Sequence, residues 1–151
     1  MIQYLQIALL LFGFSYCANK PPVQIPQGIR GKVIWFEGNM MPTIGGKTPG
    51  MPKGKPIKRE IYIYALTNRD QTVISGRFFS KINNELITTV QSNQQGVFSV
   101  ELTPGKYSIM VKEEKGLYAN LFDGLGNIHP VEVQANKVTE IIIKVDYQAA
   151  Y

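Results

Sequence analysis

The sequence predicts an all-β sandwich of about seven or eight antiparallel strands. Two observations carry this prediction. Short segments in which apolar and polar residues alternate recur along the chain, and clusters of Gly, Pro and Asn separate them. Alternation with a period of two is typical of a strand that buries one face, and Gly, Pro and Asn favour the turns between strands.

Residues 31–37 form the predicted first strand, and residues 60–66 form a second strand with strong alternation. Between them, residues 38–58 are rich in Gly, Pro and Lys, which predicts a loop of about twenty residues. Such a loop is either a basic arm for an anionic partner or a solvated insertion. At the other end of the chain, residues 131–133 and 138–147 are predicted to form a closing hairpin.

The clearest strands lie within residues 86–112, which we expect to form an antiparallel meander. The first part, residues 86–91, is rich in β-branched side chains. The other two parts alternate apolar and polar residues, which predicts one apolar row on each buried face. The two rows are Phe98, Val100 and Leu102, and Tyr107, Ile109 and Val111.

Two turns separate these three strands. The first is polar and ends at Gly96, which tolerates a positive φ. The second contains Pro104 and Gly105, and we expect a type II turn with a positive φ at Gly105. Short turns of this kind normally join strands that pair with each other as hairpins.

This pattern of turns and strands resembles the signature of carboxypeptidase regulatory-like domains, which are small transthyretin-like (prealbumin-like) β-sandwiches. The resemblance rests on residues 96–100 (GVFSV) and 102–109 (LTPGKYSI), and it covers roughly residues 29–147. It implies an antiparallel transthyretin-like sandwich that acts as an accessory, non-catalytic module. The family's turn often carries Asp before the Gly, where this chain has Gln95, so no calcium site is expected there.

The amino-terminal residues predict export. Residues 1–17 read as a signal peptide with an apolar run too short to span a bilayer. Residues 18–28 read as a Pro-rich tether, and residues 29–151 as the sandwich domain. Residues 14–17 resemble a lipobox, so Cys17 is the candidate lipidation site that would anchor the protein to a bacterial envelope membrane. In the alternative route, signal peptidase cuts after Cys17 or Ala18, and the protein is periplasmic or secreted.

Composition excludes several classes of site. The 151 residues include 16 Lys and Arg, 11 Asp and Glu, one Cys and one His, for a net charge of +5. One Cys allows no internal disulfide, and one His allows no His-based zinc cluster. The mild basic charge comes without a Lys/Arg-rich helix or an RNA-binding aromatic motif, so no nucleic-acid partner is predicted. We expect no cofactor and no metal site.

Nothing in the sequence predicts catalysis, and the chain is predicted not to be an enzyme. A Ser-His-acid triad would have to use His129, and no GxSxG elbow is present. No Gly-rich phosphate loop joins a strand to a helix. An unrecognised hydrolase would need a cleft that gathers His129 with Asp123 or Glu113 and a hydroxyl group.

The predicted function is therefore a non-catalytic, exported structural or interaction module with an unidentified protein or glycan partner. The alternative is a carbohydrate- or small-ligand-binding module that uses the basic loop and exposed aromatic side chains, since aromatic faces stack on sugars. Aromatic residues on strands also pack in cores. The candidate ligand-binding residues are Trp35, Tyr62, Tyr64 and Tyr118. Exposure of these side chains together on one surface would favour the ligand-binding alternative, and burial of all four would exclude it.

Overall fold

Residues 24–41 and 54–151 are described by a computed structural model, and eleven β-strands run through this part of the chain. One 3₁₀-helix spans Arg69–Gln71. None of the helical structure in these two ranges is long and apolar enough to cross a membrane. The strands are β1 Gly28–Asn39, β2 Lys55–Pro56, β3 Glu60–Ala65, β4 Thr72–Ser75, β5 Phe78–Ile82, β6 Leu86–Gln91, β7 Val97–Val100, β8 Gly105–Glu113, β9 Gly116–Tyr118, β10 Pro130–Val133 and β11 Val138–Ala150.

The strands form two sheets. In the four-stranded sheet, β1 lies in the middle, with β11 on one side and both β2 and β7 as its other partners. In the seven-stranded sheet the order is β4-β5-β9-β8-β3-β6, and β10 also pairs with β8. The pairs are antiparallel except for β1 and β11, which run parallel with Gly28 opposite Val138 and Trp35 opposite Val145.

The main core lies between the two sheets. Ile29 and Val33 of β1 and Ile143 and Val145 of β11 meet apolar residues of the seven-stranded sheet, including Ile109 of β8, in one buried cluster. Each strand contributes alternate residues to it, as the pleat of a β-strand requires. Burial of side chains from the inner faces of both sheets in one layer is the arrangement of a β-sandwich. The all-β sandwich prediction is confirmed.

A second buried cluster covers the outer face of the seven-stranded sheet. Met110 belongs to the row of β8 opposite Ile109, and it packs here with Tyr64 of β3 and Phe79 of β5. Ala119 and Ile128, from the segment that follows β9, complete the cluster. The second cluster explains why β3 is apolar on both faces. One row of its side chains packs in the main core and the other row packs in the second cluster.

The predicted meander over residues 86–112 is wrong in its pairing, although its three strands are present. β6 and β8 both lie in the seven-stranded sheet, where each pairs with β3. β7 crosses to the other sheet and pairs with β1, with Phe98 opposite Gly31. The ring of Phe98 fills the space above Gly31, where a Cβ atom would lie 2.4 Å from the ring. Apolar alternation placed the buried rows correctly but gave no information about the partner strand.

The predicted closing hairpin is also wrong. β10 pairs with β8, with Val131 opposite Tyr107, so it belongs to the seven-stranded sheet. β11 belongs to the four-stranded sheet and pairs with β1 in parallel. The turn between them, with Asn136 at φ 57°, therefore carries the chain across the sandwich. The described part of the chain also has more strands than the seven or eight predicted, because the chain breaks into short strands at its turns.

The two glycines of the predicted turns behave differently. Gly96 has a φ of 74°, as expected for the residue that ends the polar turn. Gly105 begins β8 and is absent from the positive-φ residues, so the expected type II geometry at Gly105 is wrong. Of the two turns, the first is therefore the one that requires a glycine. A Cβ atom at Gly96 would lie 2.4 Å from the backbone oxygen of Val33.

Several predictions fall wholly or partly outside the described residues. The signal peptide with Cys17 lies outside them. The predicted tether is described only from residue 24 onward. In this part, the Gln27 side chain donates a hydrogen bond to the backbone oxygen of Leu102 at 2.7 Å. Of the predicted loop 38–58, residues 42–53 lie outside. Both described ends of this predicted loop contain strand residues. Gly38 and Asn39 belong to β1, and Lys55–Pro56 forms β2, which pairs with Ile34 and Trp35 of β1.

Candidate ligand-binding cleft

A large depression lies beside the β4–β5 hairpin. It has a volume of about 680 Å³ and is bordered by the hairpin, by the segment after β9 and by the end of β11. We call it the Asp146 cleft. Ile74, Phe79 and Phe122 form its apolar walls, and its polar lining includes Arg69, Arg77, Asn120 and Asp146.

Asp146 lies at the centre of a hydrogen-bond network in this cleft. Its Oδ1 accepts hydrogen bonds from the Tyr118 hydroxyl at 2.6 Å and from Asn120 Nδ2 at 2.7 Å. Its Oδ2 accepts one from the Tyr151 hydroxyl at 2.8 Å. Burial alone would raise the pKa of the Asp146 carboxyl, but these hydrogen bonds outweigh it and the pKa lies below its ordinary value. Asp146 is therefore a carboxylate at neutral pH.

The tyrosine that faces Asp146 is shifted in the opposite direction. Burial, together with the hydrogen bond to the Asp146 carboxylate, raises the pKa of Tyr118 far above its ordinary value. Its hydroxyl therefore keeps its proton and acts as a donor. The pKa values of Asp146 and Tyr118 are thus moved away from neutrality in opposite directions.

Two arginines supply the positive charge of the cleft. Arg77 donates from Nη1 to the backbone oxygen of Tyr147 at 2.6 Å. Arg69 lies over the ring of Phe122, with its Cζ atom 5.2 Å from the ring centroid. Within the described ranges, neither arginine forms an ion pair with an acidic side chain. Both side chains are exposed, so their remaining N–H groups are available to a ligand.

Local structure explains where these arginines point. Gly76 has a φ of 62° and turns the chain between β4 and β5, which brings Arg77 to the rim. Asn68 caps the 3₁₀-helix that begins with Arg69: its side chain accepts from the Asp70 N–H, and its own N–H donates to the Gln71 side chain. The Arg69 N–H also donates to the backbone oxygen of Gly126 at 3.1 Å, so the segment after β9 is held against this helix.

The four aromatic residues predicted as a binding surface do not share one surface. Trp35 is half-buried, lies edge-on to Tyr147 at 5.1 Å and donates from Nε1 to Glu37 at 3.0 Å. Tyr118 is buried in the main core, and only its hydroxyl end reaches the Asp146 cleft. Tyr62 and Tyr64 lie on the opposite, outer face of the seven-stranded sheet.

Tyr62 and Tyr64 stack on each other, with ring centroids 6.4 Å apart and planes inclined by 22°. A groove of about 220 Å³ lies beside them and is also lined by Lys81 and Lys112. Tyr64 is buried and Tyr62 is half-buried, so little aromatic face is open for stacking. Ligand binding by these tyrosines stays a prediction.

The residues considered for a hydrolase have separate partners. Asp123 Oδ1 accepts from the Leu125 and Asn127 N–H groups and thereby builds a turn. Glu113 pairs with Arg59 at 2.7 Å. His129 is buried, and its Nδ1 has no partner among residues 24–41 and 54–151. In the same residues, no group of three or more His, Cys, Asp and Glu side chains could hold a metal ion.

Comparison with known protein families, with curated proteins and with solved structures found no match to this chain. Of the residues that line the cleft, the sequence predicts only Tyr118 as a candidate site residue, because the others come from segments far apart in the chain. The local signals are the apolar residues Ile74 and Phe122, which stand beside turn-forming residues.

Proposed function

We propose that this protein is a non-catalytic, exported β-sandwich module that holds a small ligand in the Asp146 cleft. One observation carries the proposal: two arginines without acidic partners in the described residues and several apolar side chains line a single depression of about 680 Å³. Small-molecule sites are typically concave, of 300 to about 1,000 Å³, and mostly apolar with a few placed polar groups. The Asp146 cleft has these features.

The protonation states in the cleft support binding in preference to catalysis. A general acid or base works best when its pKa lies near the operating pH. The Asp146 pKa is lowered and the Tyr118 pKa is raised, so neither group exchanges its proton readily at neutral pH. Asp146 instead orients three donors, which is a positioning role.

The proposal includes a finer fold and a location. The fold is transthyretin-like, as the resemblance to carboxypeptidase regulatory-like domains implies, and the two facing sheets support this. The location is a bacterial envelope, with a lipid anchor at Cys17 and residues 18–28 as a tether. A binding module on a tether stays near the membrane while its cleft remains accessible.

The intact mass of the mature protein, purified from native cell envelopes, tests location and binding together. We expect a chain that starts at Cys17 and carries the added mass of acyl groups. A photo-crosslinking residue in place of Phe122 should add the mass of a captured small ligand. The matched control carries the same residue in place of Ile142, which is exposed on the other sheet, and it should capture nothing.

The outcomes separate the two parts of the proposal. A chain that starts at Ala18 or Asn19 without added mass would contradict the lipid anchor and leave a periplasmic or secreted module. Identical spectra for the two crosslinking positions would contradict ligand binding in the cleft.

A further inference from the structure

We infer that the ligand of the Asp146 cleft is an amphiphilic anion, with one carboxylate or phosphate group on an apolar body. The inference rests on the proposed binding function and specifies its ligand class. In this arrangement the anionic group pairs with Arg77 and Arg69, and the apolar body lies against Ile74 and Phe122.

The charge of the cleft favours an anion. Arg69 and Arg77 contribute two positive charges, and Asp146 contributes one negative charge that three hydrogen-bond donors already stabilise. The backbone carbonyl of Tyr147 holds Arg77 through one nitrogen, which leaves the rest of its planar guanidinium for a ligand. Guanidinium groups bind carboxylate and phosphate oxygens with two parallel hydrogen bonds.

The walls of the cleft favour an apolar body. Ile74 and Phe122 are each 41% exposed, although both are large hydrophobic residues. Apolar side chains gathered at a concave surface gain free energy when a ligand removes them from water. A small inorganic anion would leave these walls in water.

The hydrogen bonds of Asp146 argue against a neutral sugar. An ionised carboxylate offers about four acceptor positions, and Tyr118, Asn120 and Tyr151 already use three of those on Asp146. Little acceptor capacity therefore remains on Asp146 for the hydroxyl groups of a sugar, whereas the donors of both arginines remain available.

An NMR titration of the ¹⁵N-labelled full chain with four small probes tests this inference. Octanoate and octyl phosphate carry the two possible anionic groups on the same eight-carbon chain. The neutral 1-octanol keeps the chain without the charge, and acetate keeps a carboxylate without the chain. We expect both amphiphilic anions to shift amides of residues 74–79, 118–122 and 146–151, with affinities at least about tenfold above those of 1-octanol and acetate.

Matched variants locate the anionic group. Arg77→Gln and Arg69→Gln should each weaken the binding of the anionic probes by about tenfold, since a hydrogen bond to a charged group is lost. Both should leave 1-octanol unaffected. Arg30→Gln, on the four-stranded sheet beside Glu140, is the control and should change nothing. Thermal unfolding of each variant checks that the fold is intact.

Several results would overturn the inference. These are equal affinities for octanoate and 1-octanol, equal affinities for octanoate and acetate, shifts outside the cleft, or equal losses in the Arg30 variant. The relative affinities of octanoate and octyl phosphate identify the preferred head group, and either preference supports the inference. If all four probes fail while the residue-122 crosslinker captures a ligand, the binding function stands and the ligand class is wrong.

Discussion

His129 combines a buried position with a strained backbone. Its φ is 37°, a region that non-glycine residues rarely adopt, although His does so more often than most. Two backbone hydrogen bonds hold His129 in this conformation. Its N–H donates to the Leu121 oxygen, and its oxygen accepts from the Ile109 N–H. Burial lowers the pKa of the imidazole to about 4. The folded protein therefore holds His129 neutral.

This shift makes the free energy of unfolding depend on pH. The pKa is about 4 in the folded protein and near 6.5 in the unfolded chain, so the unfolded state binds more protons between these values. The free energy of unfolding should therefore have its full value above about pH 6.5 and fall by roughly 3 kcal/mol as the pH drops to 4. Urea unfolding between pH 4 and 7.5 measures this change.

The variant His129→Asn provides the control for this prediction. Asn tolerates a positive φ and does not titrate, so the variant should show a nearly flat stability over the same range. If the free energy of unfolding of the variant fell equally with pH, titratable groups other than His129 would be responsible.

The turn between β6 and β7 carries the chain from the seven-stranded sheet to the four-stranded sheet. Asn93 organises it by accepting hydrogen bonds from the N–H groups of Gln95 and Val97 through Oδ1. Gly96 then passes directly beside β1, where its oxygen accepts from the Val33 N–H at 2.9 Å. The chain thus leaves the seven-stranded sheet after β6 and enters the four-stranded sheet at β7.

Substitution of Gly96 should disturb this crossing. Gly96→Ala adds a Cβ atom that meets the Val33 oxygen at a backbone with positive φ, and we expect a loss of about 2 kcal/mol or more. Gly105→Ala is the matched control, since its Cβ atom would meet only the Tyr107 hydroxyl at 3.4 Å, and it should cost less than about 1 kcal/mol. Denaturant unfolding compares both; a larger loss at Gly105 would contradict the assignment of the strained turn.

The sequence predicted where strands lie far better than which strands pair. Residues 86–91 match β6, and the buried row with Phe98 is correct, because alternation reports which side of a strand meets a core. The same alternation is produced by a hairpin and by a strand that crosses to the facing sheet. The misassigned pairing of β7 and of β10 follows from this, since both strands are preceded by turns that can lead to either sheet.

A buried carboxylate, Glu113, joins the two sheets through its side-chain contacts. Glu113 of β8 accepts from Arg59 at 2.7 Å and from the Tyr147 hydroxyl of β11 at 3.0 Å. Burial and the hydrogen bond to Glu113 raise the pKa of Tyr147 to about 12. Arg59 in turn lies over the ring of Trp35 of β1, 5.9 Å from its centroid. Trp35 is thereby part of the contact between sheets.

Breaking this ion pair should destabilise the fold. The Glu113 side chain is only 4% exposed, so Arg59→Met leaves a buried carboxylate without its cation and should cost about 3 kcal/mol. The double variant Arg59→Met/Glu113→Gln removes that charge and should recover part of the loss. Chemical denaturation of the two single variants, Arg59→Met and Glu113→Gln, and of the double variant completes the double-mutant cycle. Additive losses would show that the two side chains do not depend on each other.

The residues of the Asp146 cleft come from separate elements of the fold. Arg69 and Arg77 stand beside turns, where charged residues are ordinary, and Asp146 lies on a long strand with alternating polarity. No local pattern connects them. Only the packing of the β4–β5 hairpin near the end of β11 brings them together, and that packing depends on the strand order that alternation does not determine.

The parallel pairing of β1 with β11 has a consequence for how the chain folds. Gly28 lies opposite Val138 and Asn39 opposite Ala150, so the middle strand of the four-stranded sheet gains its longest partner from a segment about 110 positions later. Such distant contacts raise the contact order, and chains dominated by them fold in milliseconds to seconds. The four-stranded sheet therefore cannot be completed until the chain has been synthesised as far as β11.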